Sequence, residues 1–222
     1  MKKIIAIVAL ATAFAFGAKA QTFSHGFMEG ALRIGYTGVH GDDFNDVHRS
    51  GFNIGFNIYE ISVKPYDTGR ISLGADVEWN TYRLKNDYYY LVNEHRVAVV
   101  DEGSLNVKRS RLSVASFGFP LSFTQKFGSD FAVTAGISAL LNLNGDVYTR
   151  YKDGKDRRTL STEGIRTNRC SYDLHFALTY RGVGAYFAYR PMDILKDDYG
   201  PSFNSFSIGV VFDLRDDGSW KK

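Results

Sequence analysis

Ionisable side chains recur at every second position in several segments of this chain. Asp76 and Glu78 alternate with Ala75, Val77 and Trp79. Asp173 and His175 alternate with Tyr172, Leu174 and Phe176. Arg33, Arg70, Arg190 and Asp213 hold equivalent positions in segments of their own. A period of two puts such groups on one face of a strand and the apolar residues on the other. Both signs of charge are present, and a charge removed from water needs a partner. The expected chemistry is therefore mutual neutralisation. Arg33, Arg70 and Arg190 would face Asp76, Glu78, Asp173 and Asp213, with Asn53, Asn57 and His175 among them. The alternative is a narrow polar pore or a cavity for a small ligand.

Hydrolysis would need a nucleophile and a base within reach on neighbouring strands. Of the five histidines only His175 sits well inside a strand-like segment, and its same-face neighbours are Asp173 and Ala177. A serine on another strand, such as Ser138, would have to supply the nucleophile. The simpler expectation is a structural histidine and no enzyme. The histidines lack metal-ligand spacing, and no phosphate-binding glycine motif occurs, so no cofactor is expected. A second charged set lies in one stretch, Gly145 to Arg169. There Arg150, Lys152, Lys155, Arg157, Arg158, Arg166 and Arg169 outnumber Asp146, Asp153, Asp156 and Glu163. Such a segment suits contact with phosphates of anionic lipid, or is a solvated loop.

The elements that would position these groups are strands. Phe206, Ile208, Val210, Phe212 and Leu214 share one face at the end of the chain. Phe131 through Leu143 alternate in the same way, as do Ile71 through Trp79 and Tyr172 through Tyr180. Leu32, Ile34 and Tyr36 mark the first strand. In the second, Phe52, Ile54 and Phe56 give way to Tyr59, Ile61 and Val63, a one-residue shift that predicts a β-bulge. The fourth runs from about Arg111 to Thr124 and contains Pro120, expected at a bulge because proline is awkward in a central strand. The seventh is Val183 to Arg190. Eight strands result. Pro65–Gly69, Lys126–Asp130 and Arg181–Gly182 are tight turns. His40–Ser50, Lys85–Ser110, Gly145–Asn168 and Pro191–Ser202 are long connections. The second long one holds Tyr88, Tyr89 and Tyr90, expected either as a hairpin extending its flanking strands or as an adhesive patch.

Lys2 and Lys3, the apolar run Ile4 to Phe16 and the small residues Ala18 and Ala20 read as a secretory signal, residues 1–20, cleaved before Gln21. Its removal takes Lys2, Lys3 and Lys19 and leaves 24 basic against 24 acidic residues, which offers no support for nucleic-acid binding. The lone Cys170 excludes an intramolecular disulfide and is expected as a small side chain at a strand start. Alternating short turns and long loops, strands near ten residues and a signal for export predict an all-β, eight-stranded antiparallel up-and-down transmembrane barrel over residues 21–214, with a short tail at 215–222. A soluble lipid-carrying barrel would reverse the two faces. Small residues on the polar face favour the membrane form, as do aromatics near strand ends: Trp79 and Tyr82, Phe123 and Phe127, Tyr172 and Tyr180, Tyr186 and Tyr189.

The AKA-Q cleavage region, the strands ALRIGYTG and FAVTAGISALLNLNG, and the closing strand FNSFSIGVVFDL resemble the small outer-membrane β-barrel proteins of Gram-negative bacteria, the PorT-like group. The resemblance covers about Gln21 to Leu214. It implies an integral outer-membrane location and a structural, surface-contact or secretion-accessory role. The barrel assembly machinery, membrane lipids and lipopolysaccharide would be its partners. The protein is expected as a monomer.

Overall fold

The computed structural model describes residues 22–27, 30–41, 46–101, 103, 106–153 and 156–214. The expected signal and tail lie outside them. Among the described residues every regular element is a strand: β1 (Thr22–Phe27), β2 (Ala31–His40), β3 (Gly51–Tyr66), β4 (Gly69–Arg83), β5 (Tyr88–Asn93), β6 (Arg96–Asp101), β7 (Asn106–Phe127), β8 (Phe131–Asp153), β9 (Asp156–Glu163), β10 (Cys170–Tyr180), β11 (Val183–Arg190) and β12 (Asn204–Asp213).

Eight of these form a closed antiparallel barrel in the order β2, β3, β4, β7, β8, β10, β11, β12. The last strand closes on the first, with Asp213 opposite Ala31 and Asn204 opposite His40. Closure leaves no exposed sheet edge in the ring. Neighbouring barrel strands are joined on one rim by tight turns. At one of these, Arg181 and Gly182 both take positive φ, 51° and 78°. Two such residues form the hairpin turn whose twist matches the strands. Arg181 adopts this backbone while stacking on Tyr180 and pairing with Asp130 at 3.3 Å.

The two faces of the wall are as the alternation requires. Leu73, Trp79, Ile137, Leu174, Phe187 and Ile208 are exposed on the outer face. Asn53, Asp76, Glu78, Ser138, Asp173 and Arg190 are buried on the inner one. This is the reverse of a water-soluble barrel, in which apolar side chains fill the inside.

The shift anticipated in β3 is present, a register break between Asn57 and Tyr59. Pro120 departs from expectation. It stays in register with Ser138 of β8, while the ladder to β4 skips Gly74 and Ala75 on its other side. Its missing N–H is thus accommodated by a local gap and not by a bulge. The bulges of β7 and β8 fall elsewhere, between Ala115 and Ser116 and between Val107 and Arg109.

Two expected rim aromatics are corrected. Tyr82 and Tyr186 are buried inside the barrel and form no part of an outer girdle. Their parity had already placed them there: Tyr82 follows Asp76, Glu78 and Asn80 at even spacing, and Tyr186 precedes Arg190 at even spacing. Trp79, Phe123, Phe127, Tyr172 and Tyr180 do lie on the outer face.

The long connections are more structured than loops. β1 lies beside β3, pairing Tyr59–Lys64, while β2 takes the part of β3 from Gly51 to Phe56. β5 and β6 form a hairpin of their own. Their Tyr90 and Val97 pack on Leu84, Leu112, Val147, Ile194, Leu195 and Phe203 and cap the loop-side mouth with an apolar core. The Tyr90 N–H donates to Ser110 Oγ at 2.9 Å and the Val97 N–H to the Tyr199 carbonyl at 2.8 Å. The basic stretch after Gly145 is likewise no free loop. β8 continues to Asp153 and β9 returns along it, pairing Asp146 with Glu163 through Asp153 with Asp156. Cys170 opens β10 and is exposed.

Candidate functional site

The inner face of the barrel carries a layer of buried charge. Arg190 sits at the end of β11. Its Nε donates to Asp173 Oδ1 at 2.7 Å and its Nη2 to Asp173 Oδ2 at 3.0 Å. The same Nη2 reaches Glu78 Oε1 at 3.1 Å. Arg33, from β2, donates to Asp76 Oδ2 at 2.6 Å and lies 3.7 Å from Glu78 Oε2. Strand β4 supplies Asp76 and Glu78 two residues apart, so both carboxylates project inward. β2 and β11 bring the guanidiniums from across the barrel. The two-oxygen grip of Arg190 on Asp173 is the strong planar form of this contact.

Amides and a phenol extend the layer. Asn53 Nδ2 donates to Asn80 Oδ1 at 2.8 Å and to Glu78 Oε1 at 3.2 Å. Tyr186 OH donates to Asn53 Oδ1, which ties β11 to β3 across the lumen. Two guanidiniums face three carboxylates, and the amides supply donors for the excess acceptors. Arg190 is only 2% exposed, so the layer is closed to solvent around its guanidinium.

Glycines give the layer its room. A Cβ on Gly118 would come within 1.8 Å of Asp76 Oδ1. Gly118→Ala is therefore expected to push the carboxylate off Arg33 and lower stability by about 1–3 kcal/mol, the usual cost of overpacking a filled interior. Urea midpoints of the folded barrel measure this, and a midpoint unchanged from wild type would show that the space is slack.

On the turn side of the layer is a cavity of about 80 Å³, lined by Arg33, Asn57, Glu60, Asp76, His175 and Asp213 among others. Sites for small organic ligands span about 300–1,000 Å³, so this one has room for ordered water and little more. Arg70, also expected inside, is buried nearer the turns, opposite Thr124. All eight charged or titratable residues assigned to the interior thus face it. Glu60 joins them without having been singled out, and so does Tyr186, expected at the rim although its parity with Arg190 points inward.

The structure also brings together the one serine–histidine pair considered from sequence. Ser138 Oγ and His175 Nδ1 are 3.3 Å apart. Asp173, two residues away on the same strand, is held by Arg190 on both oxygens and does not orient the imidazole. Gly136 lies under the ring: a Cβ there would meet His175 Nε2 at 2.5 Å. Ser138 itself is 1% exposed. Among the described residues no group of three histidine, cysteine or acidic side chains is placed to hold a metal.

The loop-side cap has its own titrating group. His48 bridges to Leu84 beneath the cap, and burial holds its imidazole down at about 4. An unfolded chain takes up that proton near 6.5. The stability His48 contributes is therefore present above about pH 6.5 and lost as pH falls toward about 4. The cap is expected to become more protease-sensitive over that window, and His48→Gln to flatten the dependence. Equal pH profiles for the two proteins would remove His48 as the cause.

The residues expected to meet anionic lipid do not form one group. Arg150, Lys152 and Arg157 line one groove on the extended hairpins, together with Arg83, Lys108 and Arg109. Arg166 instead stacks on Tyr199 in the cap, with 5.0 Å between guanidinium and ring centre. Arg158 is exposed on β9, and Lys155 falls outside the described residues. Lys108 and Arg109 were hidden from sequence reasoning because their segment reads as loop. No family model matches this chain, and no curated protein matches it.

Proposed function

We propose that this protein is an integral outer-membrane barrel of a Gram-negative bacterium, similar to the PorT-like group, exported by its N-terminal signal and acting as a structural, surface-contact or secretion-accessory component. The observation that carries this reading is the inverted wall. A closed ring of eight strands turns Leu73, Ile137, Leu174 and Ile208 outward and Asp76, Glu78, Asp173 and Arg190 inward. Lipid accepts an apolar outer surface and requires every backbone group to be paired, and a closed barrel meets both conditions. A large exposed apolar surface would be an aggregation hazard in water.

The interior acts as a plug in this reading: the apolar cap at the loop side and the arginine–carboxylate layer below it fill the lumen among the described residues, which gives a narrow pore or ligand carrier less support. No catalytic step is assigned to Ser138 and His175, because the serine is sealed from solvent. Membrane lipids and lipopolysaccharide surround the barrel, the assembly machinery inserts it, and it works as a monomer. Two measurements test the proposal together. The protein should resist alkaline extraction from membranes, and the purified protein in planar bilayers should give no discrete channels. Extraction by alkali would overturn the membrane assignment; stable channels would overturn the plug.

A further inference from the structure

The outer face of β7, β8 and β9, beyond the apolar band, carries a groove of about 450 Å³ walled by Arg83, Lys108, Arg109, Arg150, Lys152 and Arg157. Among the described residues no carboxylate lines it. None of the six cations has an ion-pair partner among the described residues. The pairing registers make this unusual. Arg109 stands directly opposite Arg150, and Lys152 directly opposite Arg157. Like charges facing each other across a strand pair are destabilising.

The backbone reinforces the crowding. The register break between Val107 and Arg109 makes Lys108 an extra residue in β7. A bulge re-aims side chains, and here two consecutive cations reach the same wall. Across the groove, Arg83 Nε is buried with no hydrogen-bond partner. Burial first, and then the like charges of Arg109 and Arg49, push its guanidinium below the ordinary value. The fold thus concentrates positive charge, and no ion pair among the described residues neutralises it.

What lies beside the groove indicates its occupant. On β4, Trp79 has the same parity as Arg83 and faces outward four residues away, about 13 Å along the strand. On β8, Leu141 and Leu143 face outward below Tyr148. Tyr148 is covered by the Arg111 guanidinium at 5.2 Å from its ring centre and offers a flat wall. An anion that binds here therefore has the apolar band about 13 Å along the wall, with Asp146, beside Arg111, between the two. Nucleic acid has the phosphates but no chains for that surface.

We propose that this groove binds the phosphate groups of an anionic glycolipid whose acyl chains lie along the apolar band beneath it. The inference rests on the membrane reading above. Arginine forks fit phosphate oxygens two at a time, and the groove supplies four arginines and two lysines.

The test uses the folded mature protein in detergent micelles and in phosphatidylcholine vesicles. Bisphosphorylated lipid A and its dephosphorylated form are titrated calorimetrically into wild type and into Arg109→Gln/Arg150→Gln. The double variant relieves cross-strand repulsion and so should fold at least as well as wild type. Wild type should bind the phosphorylated form at least about tenfold more tightly than the dephosphorylated one, less so at high salt, and the variant should lose about tenfold in affinity for it. Equal binding of the two lipids, or equal binding by the two proteins, would overturn the groove alone. So would displacement of the lipid by a single-stranded oligonucleotide at lower concentration. Failure of both proteins to enter vesicles, read by protease protection, would overturn the membrane reading and the groove with it.

Discussion

Arg190→Ala should abolish, or nearly abolish, folding of the barrel. Arg190 grips both oxygens of Asp173 and one of Glu78, and all three residues are buried. Removing the guanidinium leaves two carboxylates in a closed interior with a single cation, Arg33, close to only one of them. Breaking a buried pair in this way costs about 3–5 kcal/mol, because an uncompensated charge remains. A whole domain is stable by only about 5–15 kcal/mol. Arg190→Lys should fall between, since an ammonium keeps the charge but loses the planar two-point contact. Arg190→Met combined with Asp173→Asn should recover part of the loss by removing one stranded charge along with its partner. Urea unfolding of the reconstituted proteins measures all three. A wild-type midpoint for Arg190→Ala would mean that the layer fills space and holds nothing together.

The second large effect depends on the surroundings of the barrel. Leu174 lies near the middle of the outer apolar band, opposite Ile137 of β8, and is 47% exposed. Leu174→Arg should destabilise the protein in a bilayer by about 2–4 kcal/mol, the cost of a cation near the hydrocarbon midplane. On a protein surrounded by water the same change at an exposed site would stay within about 0.5 kcal/mol. Comparing unfolding free energies of wild type and variant in vesicles separates these outcomes. An unaffected variant would place water, and not lipid, against Leu174.

Much of this architecture is legible in the chain. The eight barrel strands follow from alternation, the tight turns from their glycines, and the bulge in β3 from a parity change at Ile58. The interior charges follow from parity as well, because a strand face is set by odd or even position and by nothing more distant. What escaped has a different physical origin. β1 is short and carries no long alternating pattern, and only its pairing with the second half of β3 makes it a strand. The β5–β6 hairpin is one of the two arrangements expected for Tyr88, Tyr89 and Tyr90, whereas β9 reads as a loop because its exposed polar residues carry no apolar alternation. The hairpin is ordered by the cap that Tyr90 and Val97 help to build, and β9 by its pairing with β8. Which arginine meets which carboxylate depends on the order of strands around the ring and could not be read locally. The basic groove depends on register in the same way: Arg109 meets Arg150 because the register break between Ala115 and Ser116 shifts the ladder beyond it by one residue.

The central claim is that this chain is a closed barrel embedded in the outer membrane. Its most direct test is the mobility of the protein from purified outer membranes on a denaturing gel, with and without boiling. The account predicts a compact, fast-running band that shifts to the unfolded position on heating, since a closed ring has no edge from which detergent can unzip it. Recovery of the protein from the soluble periplasmic fraction, with one mobility before and after boiling, would contradict it.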